Sequence, residues 1–390
     1  MAKRPNILIL YFYMVAMILC GAGNGIATKL TDKSESLGYN FAHPLFQSFT
    51  MFIGESLCML GYLYEVYNVK KKYGSYEQSP DVIEARENGK LTNINPIKFA
   101  IPMLCDAAGS TLLLFAYLYI PVSVAQMLQG SIVLVTAFLS ILFLRRMLSR
   151  HHWTGLALVV IGIALVGLAV MLAKNDSDED QPIVGLLLML GSILIQGSQF
   201  VVEEKFLGDY YLSPLKVIGW EGIWGVIMFA ILLPILQFIP CHLEFCSVTG
   251  VVEDSWFAMR QIYHNTFTLI MLICSVAFIA GYNGFGITIT KHMSATSRTT
   301  LKQTKIVLVW IFFLLYRGDG HESFKPLQLV GFMVLVGGIL LYNEIVVIPL
   351  FGFDKHTHEA EEKRKRKRNT LISSDQLAET YDVRDSYEKV

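Results

Sequence analysis

The sequence predicts an all-α membrane protein with ten transmembrane helices in two inverted five-helix repeats. Hydrophobic residues make up 53% of the 390 residues, and the mean hydropathy is +0.47. Both values are higher than those of typical soluble globular chains. The apolar residues occur in long runs, and segments of the first half of the chain resemble segments of the second half.

Ten apolar runs can each cross a hydrocarbon core about 30 Å thick, which takes about 20 helical residues. The predicted spans are Ile7–Ala27, Pro44–Tyr67, Ile97–Ile120, Val122–Leu144, Trp153–Ala173, Ile183–Phe206, Leu215–Phe238, Phe267–Thr290, Ser294–Tyr316 and Leu327–Ile348. Most connections are short, so neighbouring spans should run antiparallel. The longest connection, Asn68–Asn95, is polar and contains glycine and proline, and we expect it to be flexible.

The distribution of Lys and Arg sets the predicted orientation, because cytosolic segments of membrane proteins are richer in these residues. With both termini in the cytosol, the cytosolic segments hold 22 Lys and Arg and the opposite side holds six. The basic run Lys363–Arg368 lies in a charged tail that we expect to be disordered and to meet anionic lipid. No nucleic-acid partner is expected.

An internal repeat divides the predicted spans into two groups of five. A shift of 176 residues aligns Gly21 with Gly197, and a shift of 170 aligns Pro44-Leu45 with Pro214-Leu215. Because five is odd, the second group must enter the membrane inverted, which is typical of transporters with a substrate site near the midplane. The predicted divisions are 1–173 for the first repeat, 174–182 for an acidic lumenal linker, 183–350 for the second repeat and 351–390 for the tail.

The ninth predicted span, Ser294–Tyr316, carries three cations. Its apolar part, Ile306–Tyr316, has only eleven residues, so the helix can span only if Arg298, Lys302 and Lys305 enter the membrane with it. At 100° per residue the three cations share one face, and such a face is costly unless it lines a polar cavity or meets anions. We predict that they bind an anionic substrate. In the alternative, the helix begins near Lys305 and the basic residues lie in a cytosolic loop.

Four of the acidic residues within other predicted spans are candidate site residues, because ionised groups are expensive to bury there. They are Glu55, Asp106, Glu203 and Glu221. Two roles remain open for each of them: an acid that carries protons during transport, or the partner of a cation in a structural ion pair. Glu203 lies near the cytosolic end of its span, from which its carboxylate could also reach the interface.

Neutral polar side chains inside the predicted spans are candidates for hydrogen bonds to a bound solute. They are Asn24, Tyr117, Gln126, Gln129 and Asn283. Hydrogen bonding between neighbouring helices is the alternative, and it is the common role of amides in membranes. The glycines at positions 21, 23 and 25 around Asn24 predict a kink or an unwound turn in the first span.

Two cysteines, Cys241 and Cys246, lie in a predicted lumenal loop. Their spacing permits a disulfide in an oxidising compartment, and two free thiols fit the same spacing. We expect no metal site there, because Cys241, His242 and Cys246 have no evident fourth ligand. No phosphate-binding glycine loop, zinc-protease motif or nucleophile elbow occurs in the chain, so we expect neither an enzyme nor a cofactor.

Six groups of segments carry a family resemblance over about residues 5–350. They are His43–Gln47 with Gly54–Glu55, Leu104–Asp106, Ser123–Gly130, Val202–Phe206, Gly219–Gly222 and Thr290–Arg298. Together they resemble the drug/metabolite transporter superfamily, and within it the F branch of solute carrier family 35, relatives of the nucleotide-sugar transporters. The resemblance implies EamA-type repeats, ten helices in two inverted halves, a central cavity and alternating access.

These observations predict a secondary transporter of a small organic, anionic solute in an endomembrane. Two alternatives remain: a proton-coupled exporter of cationic solutes or peptides, similar to the chloroquine-resistance transporters, and a non-transporting membrane scaffold. The predicted partners are the small-molecule substrate, membrane lipid, a second copy of the chain, and sorting adaptors that bind Tyr387–Val390. The tail signal favours an endosomal or lysosomal membrane over the Golgi.

Overall fold

The computed structural model describes residues 7–119, 129–145, 148–171, 182–241, 247–315 and 326–346, together with Arg364. Its α-helices are α1 (Ile7–Asp32), α2 (Pro44–Tyr73), α3 (Pro80–Glu87), α4 (Ala100–Tyr119), α5 (Ile132–Leu144), α6 (Arg150–Met171), α7 (Pro182–Asp209), α8 (Pro214–Leu236), α9 (Ser255–His264), α10 (Thr266–His292), α11 (Ala295–Leu315) and α12 (Pro326–Tyr342). Short 3₁₀ helices cover Tyr76–Gln78 and Pro96–Phe99. A small antiparallel ribbon pairs Glu35–Ser36 with Tyr39–Asn40.

The chain is predominantly helical, as the hydropathy pattern predicts. Four helical segments are both long enough and apolar enough to cross a membrane: Ile7–Asp32, Val184–Asp209, Pro214–Leu236 and Thr266–His292. Because a helix rises 1.5 Å per residue, each of the four is about 35 Å long or more. The number of crossings stays a prediction.

The long helices pack in a pattern that treats the two halves of the chain alike. α2 packs on α8, α5 on α11 and α6 on α12, while α1 packs on α10 as α4 packs on α7. The contacts of α1 with α11 are matched by those of α7 with α5. These contacts are converted into one another when α1, α2, α4, α5 and α6 are exchanged for α7, α8, α10, α11 and α12, whereas weaker contacts such as that of α7 with α10 do not all follow the exchange.

Glycines allow the closest of these approaches. A Cβ on Gly222 of α8 would lie 2.2 Å from the backbone nitrogen of Ser56 on α2. Gly155 of α6 and Gly338 of α12 face each other, and a Cβ on Gly338 would lie 2.8 Å from the Gly155 carbonyl oxygen. The two self-paired contacts α2–α8 and α6–α12 are therefore backbone-to-backbone contacts that a larger residue would separate.

Two local expectations are wrong. α1 stays helical from Ile7 to Asp32, so no turn is unwound around Asn24. The glycines of α1 serve packing instead, since a Cβ on Gly21 would lie 2.7 Å from the Tyr282 ring of α10. The connection Asn68–Asn95 is also not a plain flexible link: it contains the end of α2, a 3₁₀ turn and α3, and it buries apolar side chains such as Val82.

Candidate functional site

Seven charged side chains from five helices meet inside the bundle, and we call them the charged cluster. They are Glu55, Asp106, Glu203, Glu221, Arg298, Lys302 and Lys305. Asp106, Glu221 and Lys302 each lie about two helical turns, or about 10 Å, after the start of their helices. Glu203 lies about two turns before the end of α7. These residues therefore lie at a common depth in the bundle.

Arg298 and Glu203 form a buried ion pair between α11 and α7. The Arg298 Nη1 atom donates to Glu203 Oε2, and the two side chains are 4% and 0% exposed. Gln199 donates to the other carboxylate oxygen at 3.1 Å. α11 begins at Ala295, so the alternative in which it begins near Lys305 is excluded. Glu203 is an ion-pair partner here and does not extend to the interface.

Asn283 of α10 joins this pair to α2. Its amide nitrogen donates to Glu55 Oε1 at 2.5 Å, and its oxygen accepts from Arg298 Nη2 at 3.4 Å. The chain of bonds Glu55–Asn283–Arg298–Glu203 thus connects four helices, with Asn283 in the helix-bridging role that is common for amides in membranes. The predicted solute-binding role of Asn283 is untested by this geometry.

Glu55 and Glu221 each leave a carboxylate oxygen without a hydrogen-bond partner among the described residues. The atoms are Glu55 Oε2 and Glu221 Oε1, and both side chains are buried. Asp106 differs, because Lys302 is the strongest charged influence on it. Glu203 and Asp106 therefore each have a nearby cation. Among the described residues, Glu55 and Glu221 have no cation in direct contact.

The cations rest on aromatic faces that sequence reasoning did not select. Arg298 and Lys302 lie 4.7 Å and 5.4 Å from the centroid of the Phe200 ring, and Lys305 Nζ lies 4.9 Å from that of Tyr282. Such contacts favour a cation that has lost part of its water. The available signal was spacing, since Phe200 precedes Glu203 by one turn and Tyr282 is adjacent to Asn283.

A cavity of about 480 Å³ lies on one side of the charged cluster, near the end of α1 and the start of α2. We call this end of the bundle the cavity end. Asn24 lines the cavity and accepts a hydrogen bond from Ser275 Oγ at 2.7 Å. Met51 and Ser110 also line it. They precede Glu55 and follow Asp106, respectively, by one helical turn, so the cavity reaches to within about 6 Å of the cluster.

The opposite end of the bundle is closed by the connection between α2 and α4, and we call it the link end. Leu91 pairs with Tyr210, its amide donates to the Asp209 carbonyl at 3.2 Å, and its carbonyl accepts from the Tyr211 amide at 2.8 Å. Lys90 Nζ donates to the Leu207 carbonyl at 3.2 Å.

Two further bonds close the link end. Lys291 Nζ donates to the Leu212 carbonyl at 2.9 Å and lies 5.3 Å from the centroid of the Tyr211 ring. Trp224 Nε1 donates to the Pro96 carbonyl at 3.0 Å. Burial raises the pKa of Tyr211 to about 12 and lowers that of Lys90, so the Tyr211 phenol stays neutral at physiological pH. The closure joins the two halves of the chain.

Several predicted site residues are not brought to the cluster by the described structure. Gln126 lies outside the described residues, as does the side chain of Tyr117, while Gln129 is half-buried.

Cys241 is disulfide-bonded, whereas Cys20, Cys58, Cys105 and Cys274 are free thiols. Cys246 lies outside the described residues, so its pairing with Cys241 stays a prediction.

Comparison with known proteins identifies the family. A family model described as "Nucleotide-sugar transporter" matches residues 13–215. Solute carrier family 35 member F6 of Rattus norvegicus is 32% identical over 84% of this chain and 86% of its own length. This chain belongs to the F branch of solute carrier family 35. Members of that branch fall within the drug/metabolite transporter superfamily, so the protein is a multi-pass membrane protein and a solute transporter.

Two more distant similarities add to this assignment. The UDP-galactose translocator of Bos taurus is 30% identical over 142 residues, which are 34% of this chain and 36% of that protein. A solved protein crystal structure superimposes with a TM-score of 0.55, covering 87% of this chain and 98% of the other at 14% identity. At that identity the superposition supports a shared fold and carries no information about the solute.

Proposed function

We propose that this solute carrier family 35 protein is a secondary transporter of a small organic anion that works by alternating access. The observation that carries the proposal is the charge balance around Lys305. Arg298 is neutralised by Glu203, and Lys302 faces Asp106. Among the described residues, no carboxylate forms an ion pair with Lys305. A buried ammonium without a counter-ion favours an anion brought by the solute.

The aromatic and amide surroundings support the same solute class. Lys305 lies over Tyr282, and a Cβ on Gly21 would lie 3.2 Å from Lys305 Cδ, so the lysine sits between α1 and α10. α1 is also the helix that places Asn24 in the cavity wall. A solute that enters the cavity meets Asn24 first and then, about one turn deeper, the lysines. The UDP-galactose translocator, a relative by sequence, is named for an anionic solute.

Glu55 and Glu221 are the proton carriers in this proposal. An isolated ionised carboxylate is far more costly to bury than a neutral acid, and neither residue has a cation in direct contact. Protonation and deprotonation of these two acids, one in each half of the chain, would couple solute movement to a proton gradient.

Alternating access follows from the proposed repeat. The packing pattern supports two inverted repeats, residues 1–173 and 183–350, joined by the acidic linker 174–182 and followed by the tail 351–390. Rocking of one repeat against the other would open the link end as the cavity end closes. With both termini cytosolic, the cavity end is lumenal and holds the proposed Cys241–Cys246 disulfide.

The proposed setting is an endomembrane of the endosome, lysosome or Golgi. Anionic lipid would meet Lys363–Arg368, and sorting adaptors would bind Tyr387–Val390. The packing pattern concerns contacts between the two halves of one chain. We propose separately that the protein forms a homodimer.

The decisive experiment compares two lysines that both lie over a tyrosine ring. In proteoliposomes, Lys305→Gln should lower uptake of UDP-galactose, inorganic phosphate or small carboxylates by about tenfold or more. Lys216→Gln is the matched control, because Lys216 Nζ lies 5.7 Å from the centroid of the Tyr62 ring, away from the cluster. Equal uptake by both variants would refute the role of Lys305, and no uptake by the unmodified protein would favour a scaffold.

A proton-coupled exporter of cationic solutes or peptides is the second candidate. It is favoured by the composition of the charged cluster, in which four carboxylates outnumber three cations. In that case Glu55→Gln should abolish uptake of a cationic probe while Lys305→Gln leaves it unchanged or raises it. The two candidates therefore respond in opposite ways to the same pair of variants.

A further inference from the structure

We propose that His151, His152 and Glu344 form a binding site for a divalent transition-metal ion of the Zn²⁺ class. The three side chains lie at the link end, outside the charged cluster. His151 and His152 begin α6, and Glu344 follows the last turn of α12. One ligand atom from each residue lies within 4.8 Å of the other two. We call the three residues the His–His–Glu cluster.

The distances fit a metal site closely. In a tetrahedral Zn²⁺ site, His nitrogens and carboxylate oxygens lie about 2.0–2.2 Å from the metal, which places neighbouring ligand atoms about 3.3 Å apart. Glu344 Oε1 lies 3.0 Å from His151 Nε2 and 3.9 Å from His152 Nε2. All three ligand atoms lie within 4.8 Å of one another, so rotation of the side chains could bring them around one ion. Two histidines and one glutamate, with a fourth position left for water, are a ligand set that Zn²⁺ accepts.

The surrounding structure holds the ligands together. Gly155 and Gly338 bring α6 and α12 into backbone contact one turn after the histidines. The two imidazole rings lie 4.0 Å apart between centroids, and Tyr342 packs edge-on against His152 at 5.1 Å. These contacts restrict the rotamers of the histidines, which lowers the entropic cost of binding an ion.

Glu344 has a backbone conformation that aims it at the histidines. Its φ of 56° lies in the left-handed region, which is uncommon for a residue other than glycine, asparagine or aspartate. The chain leaves α12 at this point, and the turn directs the carboxylate back towards the start of α6. His151 is buried, whereas His152 and Glu344 are half-exposed, so an ion can reach the site from the link end.

The site would connect the last helix of each half of the chain. α6 and α12 pack on each other through the glycine contact, and an ion bound across their ends would fix that contact at the link end. The histidines and the glutamate are far apart in sequence and meet only when the chain is folded. An ion that binds all three would therefore stabilise the folded protein. This inference is independent of the proposed solute, since the His–His–Glu cluster shares no residue with the charged cluster.

The test uses the full chain, purified in detergent through a tag that contains no histidine and stripped with a chelator. Zn²⁺ should then bind at about one ion per chain in competition with a chromogenic chelator, and it should raise the melting temperature. Glu344→Gln and the double variant His151→Ala/His152→Ala should each weaken binding by about tenfold or more. The exposed His264, at the cavity end, provides the control: His264→Ala should bind Zn²⁺ as the unmodified chain does.

A spectroscopic readout keeps the test valid if a variant is unstable. Co²⁺ substituted into the unmodified protein should give the intense visible absorption of a tetrahedral site, and added Zn²⁺ should remove it. Binding well below one ion per chain, or equal binding by the unmodified chain and the Glu344→Gln variant, would overturn the proposal. So would a Co²⁺ spectrum typical of six-coordinate aqueous ions.

Discussion

The two ends of the helix bundle differ in how they are held together. At the link end, backbone pairing of Leu91 with Tyr210, the Lys90 bond to the Leu207 carbonyl and the Trp224 bond to the Pro96 carbonyl join the two halves directly. At the cavity end, a cavity of about 480 Å³ lies among α1, α2, α4 and α10 and extends almost to the depth of the charged cluster. Among the described residues, the two ends therefore differ in that one holds direct bonds between the halves and the other holds an open volume.

The cavity end is nevertheless not loose. His43 Nδ1 lies 2.6 Å from Glu253 Oε1, and His43 Nε2 lies 3.1 Å from Gln261 Oε1. Gln261 uses its amide nitrogen to donate to the carbonyls of Ser36 and Tyr39, so its oxygen must face the histidine. These bonds dock α9 and the small ribbon on the start of α2, beside the cavity. The cavity is therefore walled by a fixed cap and is not a gap in the packing.

The largest expected effect comes from the ion pair between the two ends. Arg298→Ala should lower the free energy of unfolding by about 3–5 kcal/mol, because it leaves the fully buried Glu203 carboxylate without its cation. Thermal unfolding in detergent measures the loss. Arg260→Ala, at an exposed site, should change stability by less than about 0.5 kcal/mol.

A second variant separates the ion pair from the packing around it. The double variant Arg298→Gln/Glu203→Gln should be more stable than Arg298→Ala, since no uncompensated charge remains. Suppose that the double variant loses as much stability as Arg298→Gln and Glu203→Gln lose together. The two side chains then do not interact as described.

The next largest effect should come from opening the link end. Lys90→Met removes the bond to the Leu207 carbonyl, which joins the two halves, and hydrogen bonds to charged groups contribute about 1.5–3 kcal/mol. The population open at this end should rise about tenfold or more. Cys58, a buried thiol near Leu212, is the natural probe, and its labelling by a water-soluble maleimide should accelerate accordingly.

Cys20, Cys105 and Cys274 are replaced by Ala in that experiment so that Cys58 is the reporting thiol. Lys70→Met is the matched control, because Lys70 is exposed at the same end of the bundle. Unchanged labelling in Lys90→Met would show that the link end is closed by packing alone. Labelling that accelerates equally in the control would indicate general destabilisation.

The smallest expected effect concerns the cap at the cavity end. The two ring nitrogens of His43 face two buried acceptor oxygens, Glu253 Oε1 and Gln261 Oε1. His43→Phe should lower the free energy of unfolding by about 1 kcal/mol, because both oxygens lose this contact. His264→Phe, at an exposed site, should change stability by less than about 0.5 kcal/mol. Thermal unfolding in detergent measures both, and equal stability of the two variants would refute a contribution of His43 to the cap.

The helices and the ninth-span cations were largely predictable from the sequence. Hydropathy located the long helices to within a few residues at most ends, as with Pro44 for α2 and Pro214 for α8. The short apolar part of α11 forced Arg298 into a helix interior, and the structure places it there, 3% exposed. These features are local, because they depend only on the rise per residue and on the length of each apolar run.

The functions of individual side chains were not predictable in the same way. The sequence offered several acids to pair with the three cations, and the fold selects Glu203 for Arg298 across a separation of 95 residues. It also places Phe200 and Tyr282 under the cations and brings His151 to Glu344. The helical character of the connection before α4 was missed because its polar composition hides the few apolar side chains that it buries.

The sequence by itself therefore determined the class of protein, the family resemblance, the helices and the presence of buried charge. The tertiary structure decided that Glu203 neutralises Arg298, and that the connection before α4 is bonded to the second half of the chain. The physical reason is that hydropathy acts along one chain segment, whereas pairing depends on the rotation and separation of two packed helices. Those quantities are set by close contacts such as that of Gly222 with Ser56, which no local pattern encodes.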